Sequence, residues 1–303
     1  MHCRCGQRHW GRYGAAGLLL ADDAGHVVLQ HRAPWSHHGD TWGIPGGARN
    51  RDESAVAAAV REAGEEAGVT GPVSPHATYA LVHPDWSYTT VVARTSTELP
   101  VRATDHESVE VRWHPIDDVA RLPLLAAFAQ AWPVLQQMLR TRAVLVVDAA
   151  NVVGARPDGW WQDRAGATTR LARRLARLTE DGAPADLLDL PGHTWWPQVV
   201  LVTEGKARAA APVPGVHTVA ADGSGDDAIV DAVTHLLDGT EPGEAGTGET
   251  GRGEAATNAQ APHVRVITAD RALQQRVRTA GATVQGPRKL WQVLDALPDA
   301  QDR

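Results

Sequence analysis

The chain has 303 residues, a length that suits about two domains, each able to bury a core without staples. Its 29 Lys+Arg against 36 Asp+Glu leave a formal charge of -7, which excludes a global basic field able to hold nucleic acid by charge alone. With 2 Cys the sequence has no disulfide framework and fits a reducing, cytoplasmic compartment.

At the N-terminus, Cys3-x-Cys5 with His2 and His9 offers residue types that bind Zn²⁺, but the ligands are crowded and no second pair follows. A frayed terminus is the expectation there. Arg4, Arg8 and Arg12 before the apolar run 15–21 resemble a signal peptide, yet the run is short and ends in Asp22-Asp23. A second apolar segment, 27–31, follows at once, so a pair of strands is predicted. No apolar run approaches the ~18 residues needed to cross a bilayer, and no membrane contact is expected. The loop 32–42 carries Trp35, His37, His38 and Trp42, side chains suited to stacking on a base or touching phosphate. Covering the core is an equal alternative for Trp35 and Trp42.

Residues 47–69 read GARNRDESAVAAAVREAGEEAGV. Asp52 suits an N-cap, residues 53–67 are strong helix formers, and Gly68 suits a left-handed C-cap. At 100° per residue Glu62, Glu65 and Glu66 share one face of that helix, and Val56, Val60, Ala63 and Ala67 share another that can pack inward. Clustered carboxylates repel unless a hard cation such as Mg²⁺ neutralises them. A solvated acidic helix face would have this composition, but not this fixed spacing of Gly47, Glu53, Arg61, Glu62, Glu65, Glu66 and Gly68.

That spacing, G-x5-E-x7-R-E-U-x-E-E-x-G-U with U aliphatic, resembles the Nudix box of MutT-like Nudix hydrolases, with Ala63 small for its aliphatic slot. The resemblance covers roughly residues 1–140 and implies an α/β/α sandwich around a mixed sheet. It further implies hydrolysis of a nucleotide diphosphate linkage with Mg²⁺ or Mn²⁺. By position, Glu65 and Glu66 look like metal ligands, with the Gly47 carbonyl as another. Glu62 would be a ligand or general base, and Glu53 and Arg61 would brace the loop and helix. Family members often add a distant acid, for which Glu107 and Glu110 are both candidates. Later strands are expected at 88–95 and 109–113, and a helix at 124–139. The small-molecule partner would be a nucleotide or another diphosphate-linked compound. Cleavage of a triphosphate to monophosphate is the preferred reaction.

A boundary near residues 140–142 precedes the apolar run 143–147, of the kind found in buried parallel strands. Strands near 199–202, 216–220 and 264–268 follow, and residues 238–262 read as a disordered loop. Acids stand at strand ends and at a helix start: Asp148 with Asn151, Glu204, the pair Asp226 and Asp227, and Asp270 after Thr268. Each alone would serve as a cap or turn residue. Together, D-x-x-N, D-D and S/T-x-D resemble the NYN group of PIN-like nucleases over about residues 142–297. That resemblance implies a Rossmann-like parallel α/β/α domain in which Asp148, Asp226, Asp227 and Asp270 hold Mg²⁺ or Mn²⁺ and Asn151 contacts substrate. The partner implied is RNA, met also by Arg156, Lys206, Arg208, Arg271, Arg276 and the pair Trp160-Trp161. Ala149-Ala150 departs from the Gly common after the first Asp. Two rival readings are a nucleotide-sensing regulator that binds RNA without cutting it, and a cap-removing enzyme coupled to a ribonuclease.

Overall fold

A computed structural model describes residues 1–6, 8–36, 38–97, 99–157, 159–240 and 260–297. Most of the predicted loop at 238–262, and His37, lie outside the described residues. The chain divides into two compact units, one essentially Met1–Arg140 and the other beginning at Thr141.

The first unit is built on β1 (Ala15–Asp22), β2 (His26–Arg32), β3 (Trp42–Gly43), β4 (Gly46–Ala48), α1 (Ala55–Ala67), β5 (Ser74–His83), β6 (Trp86–Thr95), β7 (Ser108–Pro115) and α2 (Ala126–Leu139). Its sheet is mixed: β1 runs parallel to β6 and antiparallel to β2 and β4, β5 pairs antiparallel with β6, and β7 with β2. Seven successive residues of β1 are buried, the pattern of a strand covered on both faces. Ala16, Leu18 and Leu20 share a core with Ala58, Ala59, Ala63 and Ala67 of α1, whose small side chains let helix and sheet approach closely. Val56 and Val60, expected inside, are only partly buried, because Ala58 and Ala59 occupy the inward face. On α2, Phe128, Trp132, Leu135, Met138 and Leu139 are buried.

Two expectations are corrected in this unit. Asp52 has φ of 61°, a left-handed conformation foreign to an N-cap, and the cap is Ser54, whose hydroxyl accepts from the Ala57 N–H at 3.1 Å. The N-terminus is not frayed: His2 and Arg8 form an antiparallel bridge, and the His9 N–H donates to the Met1 carbonyl at 2.9 Å. Gly68 does take the left-handed C-cap, with φ of 67°.

The second unit contains β8 (Thr141–Asp148), α3 (Ala149–Gly154), α4 (Arg164–Glu180), β9 (Ala183–Pro184), α5 (Ala185–Leu188), β10 (Thr194–Trp195), β11 (Gln198–Thr203), β12 (Val216–Ala220), α6 (Gly225–Leu237), β13 (Ala261–Ile267), α7 (Arg271–Thr279), β14 (Thr283–Gln285) and α8 (Pro287–Ala296). A parallel sheet runs in the order β12-β11-β8-β13-β14. Its Val-rich strands form one core with Ile229, Val233 and Leu236 of α6 and Leu273 and Val277 of α7. Helix α4 packs on β11 and β12 through a stripe that includes Leu171, Leu175 and Leu178. After β8 the order steps outward through β11 and β12, then returns to β13 on the other side of β8. The crevice beside the carboxyl ends of β8 and β13 is therefore a topological switch point, where open parallel sheets bind ligands.

Candidate functional site

The first constellation lies where β4 meets α1. Strand β4 pairs with β1 at Ala16↔Gly47 and Gly17↔Gly46, which brings the Gly46-Gly47 backbone against the acidic face of the helix. The fit needs glycine: a Cβ on Gly47 would lie 2.5 Å from the Glu62 carboxylate, and one on Gly46 would lie 2.5 Å from the Gly17 Cα. The Gly46 N–H donates to Glu66 Oε2 at 2.9 Å.

Arg61 organises the remaining acids. Its Nε donates to Glu53 Oε1 at 2.9 Å and its second guanidinium arm to Glu53 Oε2 at 3.0 Å, a bidentate pair. The same arm donates to the Ala48 carbonyl at 3.0 Å, while the other reaches Glu62 at 2.8 Å and Glu65 at 3.2 Å. One guanidinium thus ties the loop before the helix to three glutamates. Hydrogen bonds from Arg61, with the Asn50 N–H, hold the Glu53 carboxyl down at about 2.

Glu66 is the exception. Burial pushes its carboxyl up to about 7, and the charges of Asp105 and Glu62 add to the rise, against the Gly46 hydrogen bond and the charge of Arg32. A half-buried carboxylate beside like charges fits a divalent cation, since hard cations take carboxylate oxygens. Glu65, with its side chain 62% exposed, stands open to solvent beside it.

Both candidates for the distant acid lie beside arginines. Glu110 pairs with Arg112 at 3.4 Å, and Glu107 approaches Arg32 at 3.9 Å. A third acid of this segment, Asp105, acts on Glu66 through its charge, opposed by Arg32, the arginine that Glu107 approaches. Arg102 and Thr104 donate backbone N–H groups to the Ala67 and Glu66 carbonyls at 3.0 and 3.2 Å, lashing this segment to the end of α1. Asp105 stands in the same acid-rich stretch, DHESVE, and only the course of the loop separates it from its neighbours.

Of the substrate candidates in the 32–42 loop, Trp42 is corrected. It is 6% exposed, stacks on His31 at 4.8 Å and meets His114 edge-on at 4.5 Å, so its ring faces belong to the core. Trp35 is 75% exposed, on the same loop as His38, whose φ is 59°.

The second constellation gathers at the switch point. Asp148, 5% exposed, ends β8 and accepts from the Asn151 N–H at 3.0 Å, the Asn151 amide at 2.7 Å and the Thr268 hydroxyl at 2.8 Å. Burial raises its carboxyl despite these donors, and Glu204 adds to the rise. Asp226, in the first turn of α6, is raised by burial and by the charges of Asp270, Asp148 and Glu204, against the charge of Arg276. Glu204 accepts from the Gly225 N–H at 2.9 Å, and Asp270 caps α7 by accepting from the Leu273 N–H at 2.8 Å. Glu204 therefore joins the cluster, although it was not among the expected ligands. Asp227 leaves it, paired instead with Arg276 at 2.6 Å and 65% exposed. Arg156, expected to meet RNA, pairs with Asp295 and stacks on Trp291 at 3.8 Å, and Arg276 is committed to Asp227.

Residues 11–138 match the NUDIX domain family. A Bifidobacterium longum protein named nucleoside triphosphate pyrophosphatase/Nudix hydrolase fusion protein is 45% identical over 140 residues, 43% of this chain but only 29% of that protein's length. A Mycobacterium tuberculosis protein provisionally named 8-oxo-dGTP diphosphatase 3 is 45% identical over 152 residues, 46% of this chain and 68% of the relative. Among solved structures, the Nudix hydrolase RenU of M. smegmatis is 42% identical, with 45% of this chain and 90% of that one covered and a TM-score of 0.41. Among the described residues, no helix is long and apolar enough to cross a membrane.

Proposed function

Because the chain belongs to the Nudix hydrolase family, which acts on phosphoric anhydrides, we propose that its first unit hydrolyses a nucleoside triphosphate to the monophosphate and pyrophosphate. The observation that carries this reading is the division of labour on α1: Arg61 grips Glu53 in a bidentate pair and reaches Glu62 and Glu65, while half-buried Glu66 has no contact with it and its carboxyl is pushed up. Glu62, Glu65, Glu66 and the Gly47 carbonyl would hold Mg²⁺ or Mn²⁺, which supplies charge neutralisation for the phosphates when bound. Arg61 fixes Glu62 in place and keeps the loop carbonyls aimed, so that little reorganisation is needed as charge develops. Glu62, held by Arg61 against the Gly47 backbone, would alternatively orient or deprotonate the attacking water as general base. Trp35 and His38 would contact the base or phosphates from the 32–42 loop. The name of the M. tuberculosis relative makes an oxidised purine triphosphate the first substrate to try.

The test is phosphate-product analysis of the full chain with Mg²⁺ against triphosphates, oxidised triphosphates, nucleotide sugars and dinucleotides. Glu65→Gln is expected to lower turnover by at least ~100-fold, the scale of a preorganised electrostatic contributor. Near-normal turnover by that variant overturns the role given to Glu65.

A second reading concerns the other unit, and the carboxylates of Asp148, Glu204, Asp226 and Asp270 at the switch point favour it. This unit would be a PIN-like, metal-dependent ribonuclease, with Asp148, Asp226 and Asp270 as metal ligands and Asn151 at the substrate. Metal-dependent cleavage of single-stranded RNA, lost in Asp148→Asn, is the expected result, and RNA binding without cleavage would favour a regulator instead.

A further inference from the structure

The N-terminal segment holds a donor set that the hydrolase reading leaves unused. Cys3 Sγ, Cys5 Sγ and an imidazole nitrogen of His9 all lie within 4.8 Å of one another, the one such trio of His, Cys, Asp or Glu ligand atoms among the described residues. Cys5 Sγ is 3.3 Å from His9 Nε2, and neither cysteine is in a disulfide. Ligand bonds of about 2.3 Å to sulfur and 2.0 Å to nitrogen, at tetrahedral angles, put neighbouring ligand atoms about 3.5–3.8 Å apart. The Cys5–His9 spacing is close to that before any ion enters, and the Cys3 sulfur lies within 4.8 Å of both.

Crowding in sequence is resolved by the fold. The His2–Arg8 bridge and the His9-to-Met1 hydrogen bond turn the segment back on itself, and Gly6, with φ of 83°, donates to the Cys3 carbonyl at 2.9 Å. The turn is also anchored at both sides. Arg4 grips Asp85 through its Nε at 2.7 Å and its backbone N–H at 2.8 Å, and the Trp86 indole donates to the Trp10 carbonyl at 2.8 Å. His9 stacks on Trp86 with ring centroids 4.3 Å apart, which fixes the imidazole plane. Cys3 is 7% exposed, so one sulfur lies inside the turn, while Cys5 stands at the surface.

We propose that Cys3, Cys5 and His9 form a Zn²⁺ site with its fourth position open to water, which closes the N-terminal turn against the β5–β6 hairpin. Thiolate ligands select zinc over magnesium, so this site and the carboxylates of α1 take different ions. Zinc would act here as a staple for a segment too short to bury a core of its own.

The experiment is a Co²⁺ and Zn²⁺ titration of the reduced full chain in excess Mg²⁺. One equivalent of Co²⁺ is expected to give a sulfur-to-cobalt charge-transfer band in the near ultraviolet, displaced by Zn²⁺. Cobalt on the Nudix carboxylates gives no such band, so the readout is specific to thiolate. Cys5→Ser and His9→Gln should each weaken Zn²⁺ binding by at least ~10-fold. Cys5 is a surface side chain, and circular dichroism of Cys5→Ser, expected to match the parent, separates ligand loss from unfolding. Absence of the band, or a band unchanged in Cys5→Ser, overturns the proposal.

Discussion

Two acidic clusters in one chain solve the repulsion between carboxylates in different ways. In the first unit one cation makes the contacts: Arg61 touches Glu53, Glu62 and Glu65, while Glu66 accepts from the Gly46 N–H and feels the charge of Arg32. In the second, neutral donors hold the acids, with Thr268 and Asn151 on Asp148 and backbone N–H groups on Glu204 and Asp270. Arg276, whose charge acts on Asp226, is paired with Asp227. An arginine clamp fixes geometry before any ion binds, whereas a cluster held by neutral donors keeps its negative charge for a ligand still to come.

The sharpest way to break this comparison is to remove the clamp. Arg61→Ala is expected to cut Nudix turnover by at least ~100-fold and to raise the Mg²⁺ concentration needed for half-maximal rate. Arg61→Lys should restore little, because an ammonium cannot form the bidentate pair with Glu53. Full activity in the Lys variant would mean that charge alone suffices. On the other side, Asp148→Asn should abolish any RNA cleavage the second unit performs while nucleotide hydrolysis stays within error of the parent, and Asp227→Asn should change neither. Assaying both reactions on each variant checks that the clusters are independent, and a coupled loss would refute it.

Smaller perturbations sharpen the picture. Gly47→Ala drives a methyl into the Glu62 carboxylate, and a shift of that order is expected to cost ~10–100-fold in kcat with the fold retained by circular dichroism. Glu66 yields a pH signature. Its carboxyl lies near 7 in the folded chain against an ordinary value near 4.5, so the folded state binds its proton more tightly than the unfolded one. Its contribution is fully present below pH 4.5 and is lost as pH rises through 7, to a ceiling of about 3 kcal/mol. Metal-free protein should therefore show a falling Tm over that window, and the gain in Tm on adding Mg²⁺ should grow above pH 7. Glu66→Gln should flatten the fall while remaining inactive. A pH-independent Tm in the parent would show that Glu66 is not the buried acid described.

Local pattern made much of this legible. The helix of the first site shows in its run of strong helix formers, its left-handed cap in Gly68, and its acids in fixed spacing, because each depends on neighbours along the chain. The parallel strands of the second unit show as apolar runs that end in acids. The errors came where spatial neighbours decide. Asp52 and Ser54 are both good caps by composition, and the backbone turn before α1 chose between them. Trp42 was suited equally to a ligand or the core until His31 and His114 closed on its ring.

By itself the sequence determined the two-unit organisation, the acidic helix and its family, and the acids at the strand ends of the second unit, because all of these are written in local spacing and periodicity. Tertiary structure alone decided which acids meet. It set the charge of Asp105 on Glu66 through a loop lashed to the end of α1, added Glu204 to Asp148 and Asp226, and paired Asp227 with Arg276. It also folded the N-terminal residues so that Cys3, Cys5 and His9 converge. The physical reason is range: capping and helical faces act within a few residues, whereas desolvation and carboxylate repulsion depend on distance in space, which chain order does not specify.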